Sequence, residues 1–179
     1  PVKLAIETLN LPGIGFDTLP IRSYPEASSA AHVLGFVGQD NEGLDQGYFG
    51  LEGFYDLELR GRPGRLVREK DATGKPIPNS HISGFYPQDG RSLKLHLNRA
   101  LQLKVEELLH QSITRYAAAS GEVAIINPQT GAVLALAAWP AYDPFKFTDF
   151  DNSLYKNPLI TDAYEPGSTF KVLVMAAAI

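Results

Sequence analysis

Apolar and polar positions alternate loosely at the start of the chain, at Val2, Leu4 and Ile6, and the pattern breaks at Pro12-Gly13. This predicts one short strand followed by a turn. Residues 21–31 carry Pro25 and a run of small residues. Six glycines then crowd the next segment, at 35, 38, 43, 47, 50 and 53. Glycines at this density predict turns and close backbone approaches. A short helix is expected from Leu51 to about Leu59, ended by Gly61 and Pro63. Residues 62–92 read as a β-hairpin region with Arg65-Leu66-Val67-Arg68 as one strand. Asp71-Ala72-Thr73-Gly74 is a turn signal, and Pro76, Pro78 and Pro87 confine the rest of this region to an edge or a loop. Leu93, Leu95 and Leu97 alternate with polar residues, which predicts a strand over 92–97.

Asn98 is placed to cap a long helix running to about Ala118. Its apolar stripe, Leu101, Val105, Leu108, Leu109 and Tyr116, has helical spacing, and Gly121 is expected to end it. Two apolar runs come next, Val123 to Ile126 and Ala132 to Ala138, joined by Asn127-Pro128-Gln129-Thr130-Gly131. Pro128 suits the first corner of a turn and Gly131 can take a positive φ, so a hairpin is predicted. Both runs are continuous, which implies cover on both faces. From Trp139-Pro140 to Pro158 the chain is irregular. Loops of this length carry function or lie over a cleft.

Composition narrows the picture. The 179 residues are 44% hydrophobic and 20% charged, with net charge −4 and mean hydropathy −0.11. These values fit a globular α+β chain of one ordinary or two small domains. No long basic run occurs, so no nucleic-acid partner is expected. Cysteine is absent, which removes disulfides, thiolate metal sites and cysteine nucleophiles. No apolar stretch reaches the roughly 20 residues that span a bilayer, and no signal peptide opens the chain. The chain begins at Pro1 and stops at Ile179 within an apolar run from Val172. Both ends are therefore expected to be cuts in a longer protein.

His32, His81, His96 and His110 lack ligand spacing, and Asp143, Asp149 and Asp151 lack the EF-hand pattern. Gly13-Ile14-Gly15 lacks the third glycine and the strand of a dinucleotide loop. No metal and no cofactor is expected. His32 reads as a packed or hydrogen-bonded residue, the acidic loop as solvated, and Trp139 as a cleft or core residue.

One pattern carries chemistry. A serine followed three residues later by a lysine places both side chains on one helical face, a turn apart. A neutral lysine amine there can take the hydroxyl proton and activate the serine. The pattern occurs twice, as Ser153-Leu154-Tyr155-Lys156 and as Ser168-Thr169-Phe170-Lys171. Pro158 would break a helix begun at Ser153 and push Asn157 toward extended geometry, so Ser153 is expected in a loop. Ser168 follows Glu165-Pro166-Gly167 and precedes Phe170, Val172, Leu173, Val174 and Met175, the expected first turn of a buried helix. A helix N-terminus would favour an oxyanion there. An apolar surround would favour the neutral form of Lys171. On spacing alone, an N-cap serine with a surface lysine is an equally good reading. Glu165 is expected to play a structural role beside the turn.

Tyr164-Glu165-Pro166-Gly167-Ser168-Thr169-Phe170-Lys171 resembles the nucleophile motif of the class B penicillin-binding proteins. Other segments agree with that family in order. They include Arg22-Ser23-Tyr24-Pro25 with Ala31-His32-Val33-Leu34-Gly35, and Gly50-Leu51-Glu52 with Tyr55-Asp56 and Leu59-Arg60-Gly61. Further along come Leu101-Gln102, then Thr130-Gly131 through Leu136 with Trp139-Pro140 and Asp143-Pro144. The resemblance implies an α+β fold, with a β-rich, non-catalytic pedestal of the dimerisation type over residues 1–90. The start of a serine transpeptidase domain, of the penicillin-binding and β-lactamase-like kind, would then occupy 91–179. It further implies Ser168 as nucleophile and Lys171 as general base in cross-linking peptidoglycan stem peptides through an acyl-serine. β-Lactams would acylate the same serine. Proteins of cell-wall synthesis or division would be partners, at the extracytoplasmic face of the bacterial cytoplasmic membrane, with an anchor helix upstream.

Asn98 stands where the family usually has aspartate, and Glu26-Ala27 follow Tyr24-Pro25 where it has glycine; local backbone effects are expected. The family's Ser-x-Asn and Lys-Thr/Ser-Gly elements do not occur in these residues, so the chain alone is expected to be inactive. Two other readings remain, a docking module of a cell-wall synthesis complex and a β-lactamase or β-lactam sensor. The pedestal-like first half argues against the β-lactamase and the sensor.

Overall fold

The computed structural model describes residues 2–16, 21–73, 75, 77–78 and 83–178. The first element is a helix, α1 (Val2–Thr8), not the expected strand. Val2 and Ile6 are four residues apart, so the same apolar positions also fit helical spacing. Lys3 pairs with Glu7 across one turn at 3.7 Å, which supports the helix.

A four-residue helix, α2 (Ala31–Leu34), leads into β1 (Phe36–Gln39), which pairs antiparallel with β2 (Asp45–Tyr48) in the register Phe36↔Tyr48 to Gln39↔Asp45. The glycine pattern alone predicts only turns here. Asp40 closes the hairpin, its carboxylate accepting from the Glu42 and Leu44 N–H groups at 2.8 and 2.9 Å. The expected helix after it is present in two pieces, α3 (Gly50–Phe54) and α4 (Asp56–Leu59), broken at Tyr55. Gly47 lets α3 lie close against β2: a Cβ there would lie 2.0 Å from the Glu52 carbonyl oxygen.

Strand β3 (Arg65–Val67) pairs antiparallel with β4 (Ser83–Phe85), the hairpin expected within 62–92, whereas residues 92–97 form no strand. The alternation of Leu93, Leu95 and Leu97 instead lays an extended segment along the molecule, half-exposed, with no ladder partner. Asp71 organises the turn after β3 by accepting from the Thr73 and Lys75 N–H groups. Gly74, Pro76 and His81, which also enter the sequence-based expectations, lie outside the described residues.

The long helix α5 (Arg99–Tyr116) is capped by Asn98, whose side chain accepts from the Leu101 N–H at 3.1 Å. It ends at Ala117 in left-handed geometry, φ 49°. Gly121, expected to stop it, opens the next strand. That strand, β5 (Gly121–Ile126), pairs antiparallel with β6 (Val133–Trp139), and Gly131 at φ 73° makes the turn between them. Val105, Leu101 and Leu109 pack on Ala135, Ala137, Val123 and Ile125. Leu108 and Tyr116, members of the same stripe by spacing, face solvent. Cover on both faces does not hold for β5, whose residues alternate half-buried and exposed. Helix α5 packs mainly against β6, and β5 receives less helical cover.

After the cis Trp139-Pro140 bond the irregular stretch resolves into 3-10 turns at Pro144–Asp149 and Asn152–Tyr155 and a short helix, α6 (Pro158–Thr161). Asp143, Asp151 and Asn157 cap them by accepting from N–H groups two residues on. The acidic loop residues Asp143 and Asp151 are thus turn formers. This stretch folds back onto α2 and β1. Phe36 stacks on Phe147 with centroids 4.2 Å apart and meets Tyr155 edge-on at 4.8 Å. Together with Ala31 and Tyr142 they make a second core that no local sequence pattern predicts. The last elements are a 3-10 turn, Gly167–Phe170, and α7 (Lys171–Ala177). No helix among the described residues is long and apolar enough to cross a membrane.

Candidate functional site

The two serine–lysine patterns part company in the backbone. Ser153 lies in the turn Asn152–Tyr155, its N–H held by Asp151 at 2.9 Å. Lys156 is then extended, with φ −72° and ψ 141°, and Asn157 likewise, with φ −81° and ψ 106°. Pro158 begins α6 and enforces this geometry on its predecessor. Ser153 and Lys156 therefore share no helical turn.

Ser168 and Lys171 do share one. Gly167 bends the chain at φ 54°, a conformation that strains any side-chain-bearing residue. The Thr169 N–H and hydroxyl both donate to the Pro166 carbonyl, which fixes the bend. From Gly167 the 3-10 turn runs directly into α7, with Phe170 at φ −66° and Lys171 at φ −60°. The Lys171 N–H donates to the Ser168 and Thr169 carbonyls. A three-residue separation closed by this bond stacks the two side chains one turn apart.

The surroundings differ from the expected buried helix. No residue of α7 is buried, and Val172 is 72% exposed. Lys171 and Ser168 are exposed as well, so the apolar surround expected for the lysine is not supplied by these residues. Val172, Leu173, Val174 and Met175 point around the helix in all directions. Such a helix needs cover on every side, and all four of these side chains are more than half exposed. Glu165 is exposed beside the bend.

His32 is buried, its ring edge-on to Tyr142 at 5.4 Å. Burial lowers its pKa from the ordinary value of 6.5, partly opposed by the Leu154 carbonyl and by Glu106. Burial likewise raises the Tyr142 hydroxyl far above the usual tyrosine range. Trp139 packs edge-on against His110, with centroids 4.6 Å apart. Among the described residues no group of His, Asp or Glu side chains is arranged to hold a metal ion.

Sequence reasoning missed two features. One is a polar network at the seam between the two cores. Glu106 accepts from the Ala30 N–H and from the Gln102 amide, both at 2.7 Å. Arg22 forms an ion pair with the buried Glu52. The other is an open apolar cavity of about 680 Å³, lined among others by Phe49, Phe54, Leu95, Leu97, Ile160 and Lys156. Its walls come from five separate segments of the chain, so no local pattern announces it. The clustering of apolar residues at 49–54 and 93–97 was the only signal.

Comparison with known proteins adds a second line of observation. The family model for the penicillin-binding protein dimerisation domain matches residues 2–95, and that for the penicillin-binding protein transpeptidase domain matches residues 121–179. The chain is similar to stage V sporulation protein D of Bacillus subtilis, 37% identical over 97% of this chain and 26% of that protein. It is also similar to the peptidoglycan D,D-transpeptidase FtsI of Escherichia coli, 34% identical over 97% of this chain and 29% of that protein. Among solved structures, a peptidoglycan synthetase from Bifidobacterium adolescentis is similar in fold, with TM-score 0.71 and 29% identity over 98% of this chain and 31% of that one. Penicillin-binding protein 2X from Streptococcus thermophilus gives TM-score 0.68 and 26% identity over 87% of this chain and 24% of that one. This chain thus spans between a quarter and a third of the length of these two curated relatives.

Proposed function

The chain belongs to the penicillin-binding proteins, joining a dimerisation region to the start of a transpeptidase domain, and from that premise we propose that it is the nucleophile-bearing part of a peptidoglycan D,D-transpeptidase. Ser168 is the nucleophile and Lys171 its base. The observation that carries the reading is the helical turn shared by these two residues behind the positive-φ bend at Gly167. The other serine–lysine pair lacks that turn.

Chemically, Lys171 acts as a neutral amine. Its Nζ takes the Ser168 hydroxyl proton as Oγ attacks the carbonyl of the penultimate D-alanine of a stem peptide. The tetrahedral adduct collapses to an acyl-serine, and the proton passes to the departing D-alanine amine. An amine of a neighbouring stem then attacks the ester, which forms the cross-link and restores Ser168. A β-lactam opens its ring on the same oxygen. Its leaving nitrogen stays tethered, so the ester persists. Cover over α7 would bring Lys171 into the apolar surround its neutral form requires.

The protein acts at the extracytoplasmic face of the bacterial cytoplasmic membrane, held by an anchor helix upstream, where stem peptides and proteins of cell-wall synthesis or division are its partners. Docking of such proteins without chemistry is a second reading, favoured by the apolar cavity of about 680 Å³. Fluorescent penicillin distinguishes the two. The full-length parent takes up label and loses it on Ser168→Ala, whereas a pure docking protein takes up none. The 179-residue chain alone takes up none either, because its Ser-x-Asn and Lys-Thr/Ser-Gly elements are absent. Removal of even one oxyanion donor typically costs about 10²–10³ in rate, and here a whole wall of the site is missing. Stoichiometric labelling of the isolated chain would contradict this part of the reading.

A further inference from the structure

Residues 26–32 of the dimerisation region are tied to the later half of the chain. Glu26 pairs with Arg99 at 2.7 Å, and Glu106 accepts from the Ala30 N–H at 2.7 Å. The Tyr142 hydroxyl donates to the Ala31 carbonyl at 3.0 Å. His32 meets the Tyr142 ring edge-on at 5.4 Å and the Leu154 carbonyl. Ala31 and His32 are buried, and further chain would add to that burial rather than remove it. The segment is also strained. Ala27 and Ala30 stand at φ 50° and 55°, left-handed geometry that costs a residue with a Cβ about 1–2 kcal/mol. Such geometry persists only where surrounding contacts over-determine it, so loss of one contact favours release of the segment.

The two cores divide along the same line. The aromatic core joins Ala31 and Phe36 to Tyr142 and Tyr155, so it is itself the joint between the two regions. The core of Val105, Ala135 and Ala137 uses no residue before Leu101. The joint can therefore open while that core stays closed. His32 is the titratable ring at the joint. Helix α3 packs on α2, but its buried carboxylate, Glu52, is taken by Arg22. On α5 the carboxylate of Glu106 already holds the Ala30 N–H and the Gln102 amide. Strand β6 carries no titratable residue. The two cavities that His32 lines present His110 and Glu106 on one side, and His96, Tyr155 and Lys156 on the other. An imidazolium here thus meets no free anion among the described residues.

We propose that His32 is an acid-sensitive lock on this joint: when its ring takes up a proton, residues 26–32 come away from Glu106 and Tyr142 while the α5–β6 core stays folded. The lock is separate from Ser168 and independent of the acyl-transfer reading. Burial holds the closed ring below the ordinary value of 6.5, so the open form binds the proton more readily. The open fraction is lowest above pH 6.5. Below it the fraction rises by up to about tenfold per pH unit, until the closed ring itself titrates.

Hydrogen exchange of the full-length parent tests this, read by mass spectrometry and scaled to unstructured-peptide rates at each pH. The reporters are the peptide over 28–36, whose amides close the turns around α2 and meet Glu106, and the peptide over 121–138 from the β5–β6 hairpin. Between pH 7 and pH 5.5 protection over 28–36 should fall severalfold, up to about tenfold, with 121–138 unchanged. His32→Gln should keep protection over 28–36 constant across that range. Glu106→Gln provides a second variant should His32→Gln fail to fold by circular dichroism. It removes the anion that favours the imidazolium, so the fall should move to lower pH. Constant protection over 28–36 in the unaltered protein, or equal loss in both peptides, would overturn the proposal. So would an undiminished fall in folded His32→Gln, or a fall at the same pH in Glu106→Gln.

Discussion

The side chain of Gln102 pairs with the backbone of Leu136 in both directions: its amide nitrogen donates to the Leu136 carbonyl, and its oxygen accepts from the Leu136 N–H, each at 2.8 Å. One side chain on α5 thus stands in for a neighbouring strand along β6, in a position only 3% exposed. The same amide donates to Glu106, which holds the Ala30 N–H. Sheet, long helix and N-terminal region are tied at one point.

Gln102→Ala removes both bonds and strands two backbone groups of β6. Loss of about 2–3 kcal/mol of unfolding free energy is expected, since buried groups left unsatisfied are costly. Urea denaturation followed by circular dichroism measures it, and Gln111→Ala on the exposed side of the same helix serves as the near-neutral comparison.

The Tyr142 hydroxyl donates to the Ala31 carbonyl at 3.0 Å across 111 residues of chain. Tyr142→Phe keeps the ring against Phe36 and Tyr155 and loses only this bond. About 1 kcal/mol of stability is expected to go, against about 3–5 kcal/mol for Tyr142→Ala, which also empties the aromatic core. The difference between the two variants in the same denaturation measurement separates the bond from the packing.

His32 makes stability depend on pH. Its folded pKa lies below 6.5 because it is buried, so the unfolded chain binds the proton more readily. The contribution of the neutral ring is complete above pH 6.5 and declines as pH falls through 6.5 toward the folded value. The urea midpoint should therefore drop between pH 7 and pH 5.5, and His32→Gln should flatten that dependence. An unchanged slope in the variant would assign the drop to other groups.

Gly167→Ala tests the bend. A Cβ at Gly167 meets open space, so the cost is confined to the backbone at φ 54°, about 1 kcal/mol. In the full-length parent the melting temperature should move little, while acylation by a β-lactam should slow by about 10- to 100-fold, as expected when a nucleophile is misplaced.

Local chemistry was legible in the sequence where one segment decides its own shape. Asn98 before a helical stripe, the Asn127–Gly131 turn, Pro158 breaking the first serine–lysine pair and Pro166-Gly167 bending before the second are all decided by neighbouring residues. What was not legible depends on distant ones. Val2, Leu4 and Ile6 fit two periods, and the Lys3–Glu7 pair favours the helix. The glycines between 35 and 53 concealed a hairpin whose strands are packed by Tyr142, Phe147 and Tyr155 from a hundred residues away. The leucines at 93, 95 and 97 have strand spacing, but β3 takes β4 as its partner. The expected burial of α7 rests on its composition, and composition states what a helix needs rather than what lies beside it.

The central claim is that Ser168, and not Ser153, is the acylated residue, with Lys171 as its base. Mass mapping of the β-lactam adduct on the full-length parent tests it most directly. The adduct should lie on the peptide containing Ser168, and Lys171→Ala should abolish it, leaving Lys156→Ala without effect. An adduct on Ser153, or one that survives removal of Lys171, would contradict the account.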